Sequence, residues 1–375
     1  MSEIVKLFTG ADVHDGQKLH EGAALALLQN GRRRILAPDQ LPRDCATEHL
    51  NGGVLTPGFV DLQVNGGGGV MLNAAPNVAT LRRMAKAHRA TGVAGFLPTL
   101  ITDRPHVTAA AIDAVAQAIA EAVPGIIGLH LEGPHLSVAR KGAHDAALIR
   151  PMEQADLDLI LQTADRLPNL MVTVAPETVT CAQISTMARA GVIVSLGHSD
   201  ADYETCIAAF DAGARCVTHL FNAMSQMGNR APGLVGAALD RGDVHAGLIA
   251  DSIHVHPASM RNALAAKGAG IFLVSDAMAT AGSDIQSFSL NGRDVYRSAG
   301  QLTLADGTLA GADLEMGHAV RTLLHSTSVP LAQALAMATS GPVALLREKS
   351  GLGRIETSEV LLHYNPETGT ATELR

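Results

Sequence analysis

The sequence predicts an α/β protein: a (β/α)8, TIM-like barrel joined to a small β-sandwich domain that both chain ends build. Three observations carry that expectation. The middle of the chain alternates eight short apolar runs with Ala-rich helical runs, the pattern of a barrel of parallel strands. The first and last stretches show short alternating segments broken by Gly, Asn, Asp and Pro, which suggest strands and turns. The length of 375 residues suits a barrel of ~250 residues with an appendage.

Residues 1–55 plus 350–375 make the expected β domain, and residues 56–349 the barrel. In the first stretch Ile4–Phe8 and Ala24–Gln29 read as strands. In the last, Val360–Tyr364, a turn at Asn365-Pro366 and Thr370–Leu374 repeat the pattern. Barrel strands are expected near Phe59–Val64, Gly95–Leu100, Ile126–Leu131, Met171–Ala175, Val192–Leu196, Cys216–His219, Ala246–Ala250 and Ile271–Ser275. Helices are expected at Val78–Thr91, Val107–Ala122, Ala155–Ala164, Ile184–Ala190, Ala201–Ala212 and Ala258–Lys267. A doubly wound sheet is the rival fold. Its best support is Gly66-Gly-Gly-Gly69, which lacks the G-x-G-x-x-G spacing of a dinucleotide site. Past the eighth strand, Gly282–Asp306 reads as a β-hairpin insertion, followed by helices at Met316–Ser326 and Leu331–Ala338.

Hydrophobic content of 47% against 17% charged describes a globular chain with a large buried core. The net charge of −8 is spread thinly with no basic run, so no nucleic-acid partner is expected. Cys45, Cys181, Cys206 and Cys216 show no C-x-x-C spacing and read as reduced thiols. Met1-Ser-Glu3 lacks a signal pattern, and no apolar run is long enough to span a membrane. A soluble, cytoplasmic protein is expected.

In a barrel, chemistry belongs at the carboxyl ends of the strands. Those ends carry Gln63 and Asn65, Glu132, Glu177, His198, His219, Asp251 with His254, and Asp276. Glu132 closes an apolar run that Gly133-Pro134 stops, ahead of a polar loop with Lys141, His144 and Asp145. One strand-end Glu alone is as readily a helix cap or a surface ion pair. Together, Glu132, His198 and His219 supply one oxygen and two imidazole nitrogens, a ligand set for Zn²⁺, Fe²⁺, Co²⁺ or Mn²⁺ with a position open to water. Such an ion lowers the pKa of bound water toward ~7. Asp276 then fits the general base that orients the water and afterwards protonates the leaving group.

Gln63 and Asn65 are neutral, weak ligands, better suited to hydrogen bonds with a water or a carboxylate. The expectation is therefore one divalent ion per chain, with Zn²⁺ first among the four. In the loop after His219, backbone N–H groups around Asn222-Ala223 and the Arg230 guanidinium suit a phosphate or carboxylate. Leu309-Ala310-Gly311 offers a close backbone wall. Glu177 reads equally as an orienting acid or a structural one, Arg230 has a surface ion pair as its alternative, and His144 and His254 read as either site or loop-surface residues. Residues alone reach a metal-dependent hydrolase of an amide, ester or related bond.

The ordered set Pro57-Gly-Phe-Val-Asp-Leu-Gln-Val-Asn-Gly66, Gly128-Leu-His-Leu-Glu-Gly-Pro134, Lys141-Gly-Ala-His144, Val174-Ala-Pro-Glu177, Gly197-His-Ser199, Thr218-His-Leu-Phe-Asn-Ala-Met224 and Val274-Ser-Asp-Ala277 resembles the N-acetylglucosamine-6-phosphate deacetylases of the amidohydrolase superfamily. The resemblance runs from about Pro57 through Gly311. It implies that Glu132, His198 and His219 hold the metal, that Asp276 is the catalytic acid/base and that His144 polarises the acetyl carbonyl. It implies a sugar-phosphate site built by Ala143, His144, Asn222, Ala223, Arg230, His254, Leu309, Ala310 and Gly311. The implied reaction removes acetate from N-acetylglucosamine 6-phosphate, in a homodimer whose interface supplies residues near the site.

Many superfamily members carry His-x-His on the first strand, where this chain has Gln63-Val-Asn65, which points to a one-metal subtype. His135 and Ala312 also depart from the family pattern and are candidates to shift preference among N-acetylhexosamine phosphates. A related amidohydrolase acting on another N-acyl amine is the alternative enzyme. A metal-free sugar-phosphate-binding protein is the alternative from another class, and a complete metal set with Asp276 argues against it.

Overall fold

The computed structural model describes residues 4–42, 44–349 and 351–374. The Met1-Ser-Glu3 start, and Arg43, Ser350 and Arg375 of the expected β domain, lie outside the described residues. Eight strands, Phe59–Val64, Val93–Ile101, Leu129–Glu132, Leu170–Val174, Ile193–Leu196, Cys216–Val217, His245–Leu248 and Ile271–Leu273, pair in simple sequence order. Every pair is parallel. A parallel bridge between Val64 and Ala277 joins the exit of the last strand to the first. A doubly wound sheet reverses its strand order at a switch point, whereas this order closes a barrel.

The helices fall where expected, with ends moved by a few residues: Val78–Ala90, Pro105–Ala120, Gln154–Arg166, Cys181–Arg189, Tyr203–Asp211 and Pro257–Lys267. Their starts are set by side chains. Asn77, Thr180 and Asp202 accept from the N–H three residues on, and Pro105 and Pro257 take the first helical turn, where no N–H is needed. The strands expected over Cys216–His219 and Ile271–Ser275 end early, at Val217 and Leu273. The backbone leaves extended geometry at the rim, where His198, His219 and Asp276 have φ of 49°, 32° and 50°.

The insertion is more than a hairpin. Ser287–Leu290, Arg293–Ser298, Gln301–Leu304 and Leu309–Ala312 form a four-stranded antiparallel sheet. Its Leu290, Val295, Leu302 and Ala310 bury against Ile101 and Met278, which lays the sheet over one side of the barrel mouth.

The chain ends give two further sheets. One orders Arg33–Leu36, Ala24–Leu28, Ile4–Thr9 and Thr47–His49; the other orders Ala371–Leu374, Leu361–Tyr364, Val54–Pro57, Asp12–His14 and Leu19–His20. Phe8, Val13, Leu25, Leu55, Ile355 and Leu361 form a shared core between them, as in a β-sandwich. No helix among the described residues is long and apolar enough to cross a membrane.

Candidate active site

The carboxyl ends of the barrel strands open into a cavity of about 510 Å³ that exposes Glu132, His198, His219 and Asp276. Three of these converge. Oε1 of Glu132 lies 3.2 Å from His198 Nε2 and 3.1 Å from His219 Nε2, and the two Nε2 atoms are 3.0 Å apart. All three side chains are buried. His198 Nδ1 donates to the Arg140 carbonyl at 2.9 Å, so in the neutral ring Nε2 is the bare lone pair. A carboxylate oxygen and imidazole nitrogens aimed at one point fit a divalent cation, and among the described residues this trio is the cluster that could hold one. Burial alone raises the Glu132 carboxyl, but the adjoining His198 and His219 imidazoles outweigh it and hold the group well below the usual carboxylate range. His219 is lifted above the ordinary imidazole value: burial lowers it, and the bond to Glu132 overcomes that.

Asp276 is held from the first strand. Asn65 Nδ2 and Gln63 Nε2 donate to its Oδ1 at 2.6 and 3.1 Å, and Gln63 Nε2 also lies 3.2 Å from Glu132 Oε1. The two carboxamides thus bond carboxylates, as their chemistry suggests. Burial, then the nearby Glu132 charge, push the Asp276 carboxyl up to about 6. Gly311 is a glycine of necessity: its φ is +66°, and a Cβ there would sit 2.8 Å from the Asp276 carbonyl.

Beneath the rim, the barrel interior is wired by hydroxyls. His130 Nε2 is 2.7 Å from Thr173 Oγ1, which is 2.7 Å from Thr218 Oγ1, itself 2.7 Å from Ser195 Oγ. Thr218 precedes His219 in the chain and Thr173 pairs with Glu132 across the sheet, so the belt fixes the strand ends that carry them.

The loops complete the cavity. His144 is buried and its Nδ1 is 2.8 Å from Thr102 Oγ1; burial, then the neighbouring His198, hold it well below the ordinary imidazole value, so its ring is neutral. Asp251 binds the N–H groups of Ile253 and His254 at 2.8 Å and His254 Nδ1 at 2.6 Å, presenting the His254 ring to the cavity. Glu177 accepts from Ser199 Oγ at 2.7 Å and Asp200 N at 2.6 Å, which steadies the loop bearing His198. Ala143, Asn222, Ala223, Leu309 and Gly311 line the wall.

Several expectations need correction. The Asn222 N–H is not free: it donates to the His219 carbonyl at 2.9 Å, because Phe221 and Ala223, at φ of 77° and 49°, curl the loop back on itself. Arg230 is exposed and lies outside the cavity of its own chain. Ala310 points into the apolar core under the insertion, since alternation along its strand turns it away from the wall formed by Leu309 and Gly311. His135 is buried against the Arg150 carbonyl at 3.1 Å, and Ala312 is buried with its N–H on the Asp276 carbonyl at 2.9 Å. Neither lines the cavity. Conversely, sequence position alone does not single out Arg140 and Thr102. Arg140 lines the cavity with its guanidinium paired to Asp200 at 2.7 Å. The signal for Thr102 is a polar residue ending the second strand run.

Residues 54–358 match the profile of the Amidohydrolase family. The chain is 46% identical to the N-acetylgalactosamine-6-phosphate deacetylase of Shewanella sp. (strain ANA-3) over 299 residues, 80% of this chain and 75% of that one. It is 34% identical to the N-acetylglucosamine-6-phosphate deacetylase of Haemophilus influenzae over 340 residues, 89% of this chain and 88% of that one. The crystal structure of N-acetylglucosamine-6-phosphate deacetylase from Pasteurella multocida superposes with a TM-score of 0.91 at 33% identity, covering 98% of this chain and 96% of that one.

Proposed function

The chain belongs to the amidohydrolase family, and on that premise we propose that it hydrolyses the acetamide of N-acetyl-D-glucosamine 6-phosphate to D-glucosamine 6-phosphate and acetate. The observation that carries the reading is the convergence of Glu132, His198 and His219 beside Asp276, which is itself held by two carboxamides. Glu132, His198 and His219 would hold one divalent ion, Zn²⁺ first, which when bound supplies Lewis acidity to the carbonyl and acidifies a water. Gln63 and Asn65 restrain Asp276 so that its carboxylate can take the proton of the attacking water and return it to the departing amine. His144 meets the carbonyl oxygen as negative charge builds there. His254 and the backbone at Ala223 receive the phosphate end.

In this reading the protein is a cytoplasmic homodimer, with a catalytic barrel over 56–349 and a small β domain over 1–55 plus 350–375. The four free cysteines fit a reducing compartment. Arg230, exposed and outside its own cavity, reaches the phosphate across the subunit interface.

The C4 epimer, N-acetylgalactosamine 6-phosphate, is a second reading favoured by the 46% identity to a deacetylase of that sugar phosphate. Acetate release across a panel of N-acetylhexosamines, each with and without the 6-phosphate, tests both. Turnover confined to 6-phosphorylated sugars supports the site, and the faster epimer names the substrate. Turnover of unrelated N-acyl amines in preference to these sugars would replace the reading.

A further inference from the structure

Thr102 stands at the carboxyl end of the second barrel strand, a rim position to which the reading above gives no role. It is 1% exposed, and its Oγ1 lies 2.8 Å from His144 Nδ1 and 3.3 Å from the carbonyl oxygen of Glu132. Gly133 makes the room: a Cβ there would fall 2.2 Å from the Thr102 hydroxyl. The insertion fixes both partners from above. Asn291 Nδ2 donates to the Thr102 carbonyl at 3.3 Å, and Arg293 donates to the carbonyl of Ala143, next to His144.

We propose that Thr102 is a positioning residue that donates its hydroxyl proton to His144 Nδ1 and so fixes the imidazole in its Nε2–H form. The hydroxyl has one proton and two acceptors within reach. An oxygen–oxygen contact of 3.3 Å lies beyond the ordinary hydroxyl range, whereas 2.8 Å to Nδ1 lies within it, so the proton belongs on the His144 contact. An Nδ1 that accepts the hydroxyl proton carries no hydrogen of its own, so the ring N–H sits on Nε2. The opposite tautomer would present a bare lone pair, which cannot meet a carbonyl oxygen that gains negative charge. What the Nε2–H does rests on the deacetylase reading; where the proton sits does not.

The test uses the full-length, zinc-loaded protein labelled with [¹⁵N]histidine, with the His144 signals assigned by their loss in His144→Gln. Long-range ¹H–¹⁵N correlations report which ring nitrogen carries the proton. The wild-type protein and Thr102→Ser are expected to show Nε2–H. Thr102→Val, similar in volume but without the hydroxyl, is expected to move the proton toward Nδ1 and to lower kcat on the order of 10²-fold with KM changed little. A wild-type His144 protonated at Nδ1, or a Thr102→Val protein that keeps both tautomer and kcat, would overturn the proposal. If Thr102→Val does not fold, the wild-type and Thr102→Ser spectra decide. A wild-type Nε2–H form in a protein that releases no acetate from any hexosamine would sink the deacetylase reading and leave the Thr102 assignment standing.

Discussion

The side-chain amide of Asn65 donates to Oδ1 of Asp276 across 2.6 Å. Gln63 reaches the same oxygen at 3.1 Å and bridges to Glu132 at 3.2 Å. The carboxamides that stand where imidazoles are common thus tie the proposed base to the proposed ligand set. Both donors converge on Oδ1, which leaves Oδ2 as the oxygen for proton transfer.

Replacing Asp276 by Asn separates geometry from chemistry. An amide carbonyl can accept from Asn65 and Gln63 as the carboxylate does, so folding and metal content should stay near wild type. The base is gone, and turnover should fall by ~10²-fold or more. Acetate release and metal analysis on the same preparation check this; an Asp276→Asn protein with most of its activity would remove Asp276 from the acid/base role.

The pH profile should carry the same signature. Asp276 must be ionised to accept a proton, and burial followed by the Glu132 charge raise its carboxyl to about 6. Activity is therefore lost as pH falls through that value, and a bound cation can only lower the midpoint. The Asn65 bond favours the ionised form, so Asn65→Ala should move the acid limb of kcat/KM to higher pH. A limb that does not move with Asn65→Ala would detach it from Asp276.

Arg230→Ala distinguishes a phosphate contact from a surface charge. If Arg230 meets the phosphate across an interface, kcat/KM on the 6-phosphorylated sugar should fall by roughly the 1.5–3 kcal/mol of a charge-assisted hydrogen bond. The unphosphorylated sugar should be processed as before. Equal effects on both substrates, or none on either, would assign Arg230 to the surface.

Much of this is legible in the sequence because periodicity reports burial. The eight apolar runs marked the strands, and a polar residue after each run marked the rim, which is how Glu132, His198, His219 and Asp276 stood out. What periodicity does not report is direction. Arg230 shares a loop with Asn222, yet it is exposed outside the cavity that Asn222 lines, and the turns at Phe221 and Ala223 use the Asn222 N–H within the loop. Thr102 was hidden because a threonine is an ordinary strand residue, and only the approach of His144 from a later loop gives it a partner. The helix Gly233–Asp240 escaped because it is eight residues long and begins at Pro232-Gly233, a sequence that reads as a turn. The insertion exceeds one hairpin because Gln301–Leu304 adds a third strand within the expected span and Leu309–Ala312 adds a fourth beyond it.

The most direct test of the account is acetate release from N-acetyl-D-glucosamine 6-phosphate by chelator-stripped protein as Zn²⁺ is added back. One ligand set of Glu132, His198 and His219, with Gln63 and Asn65 committed to hydrogen bonds, predicts negligible turnover without metal and activity that saturates at one equivalent per chain. Full turnover by the metal-free protein, or a strict requirement for two tightly bound equivalents, would contradict it.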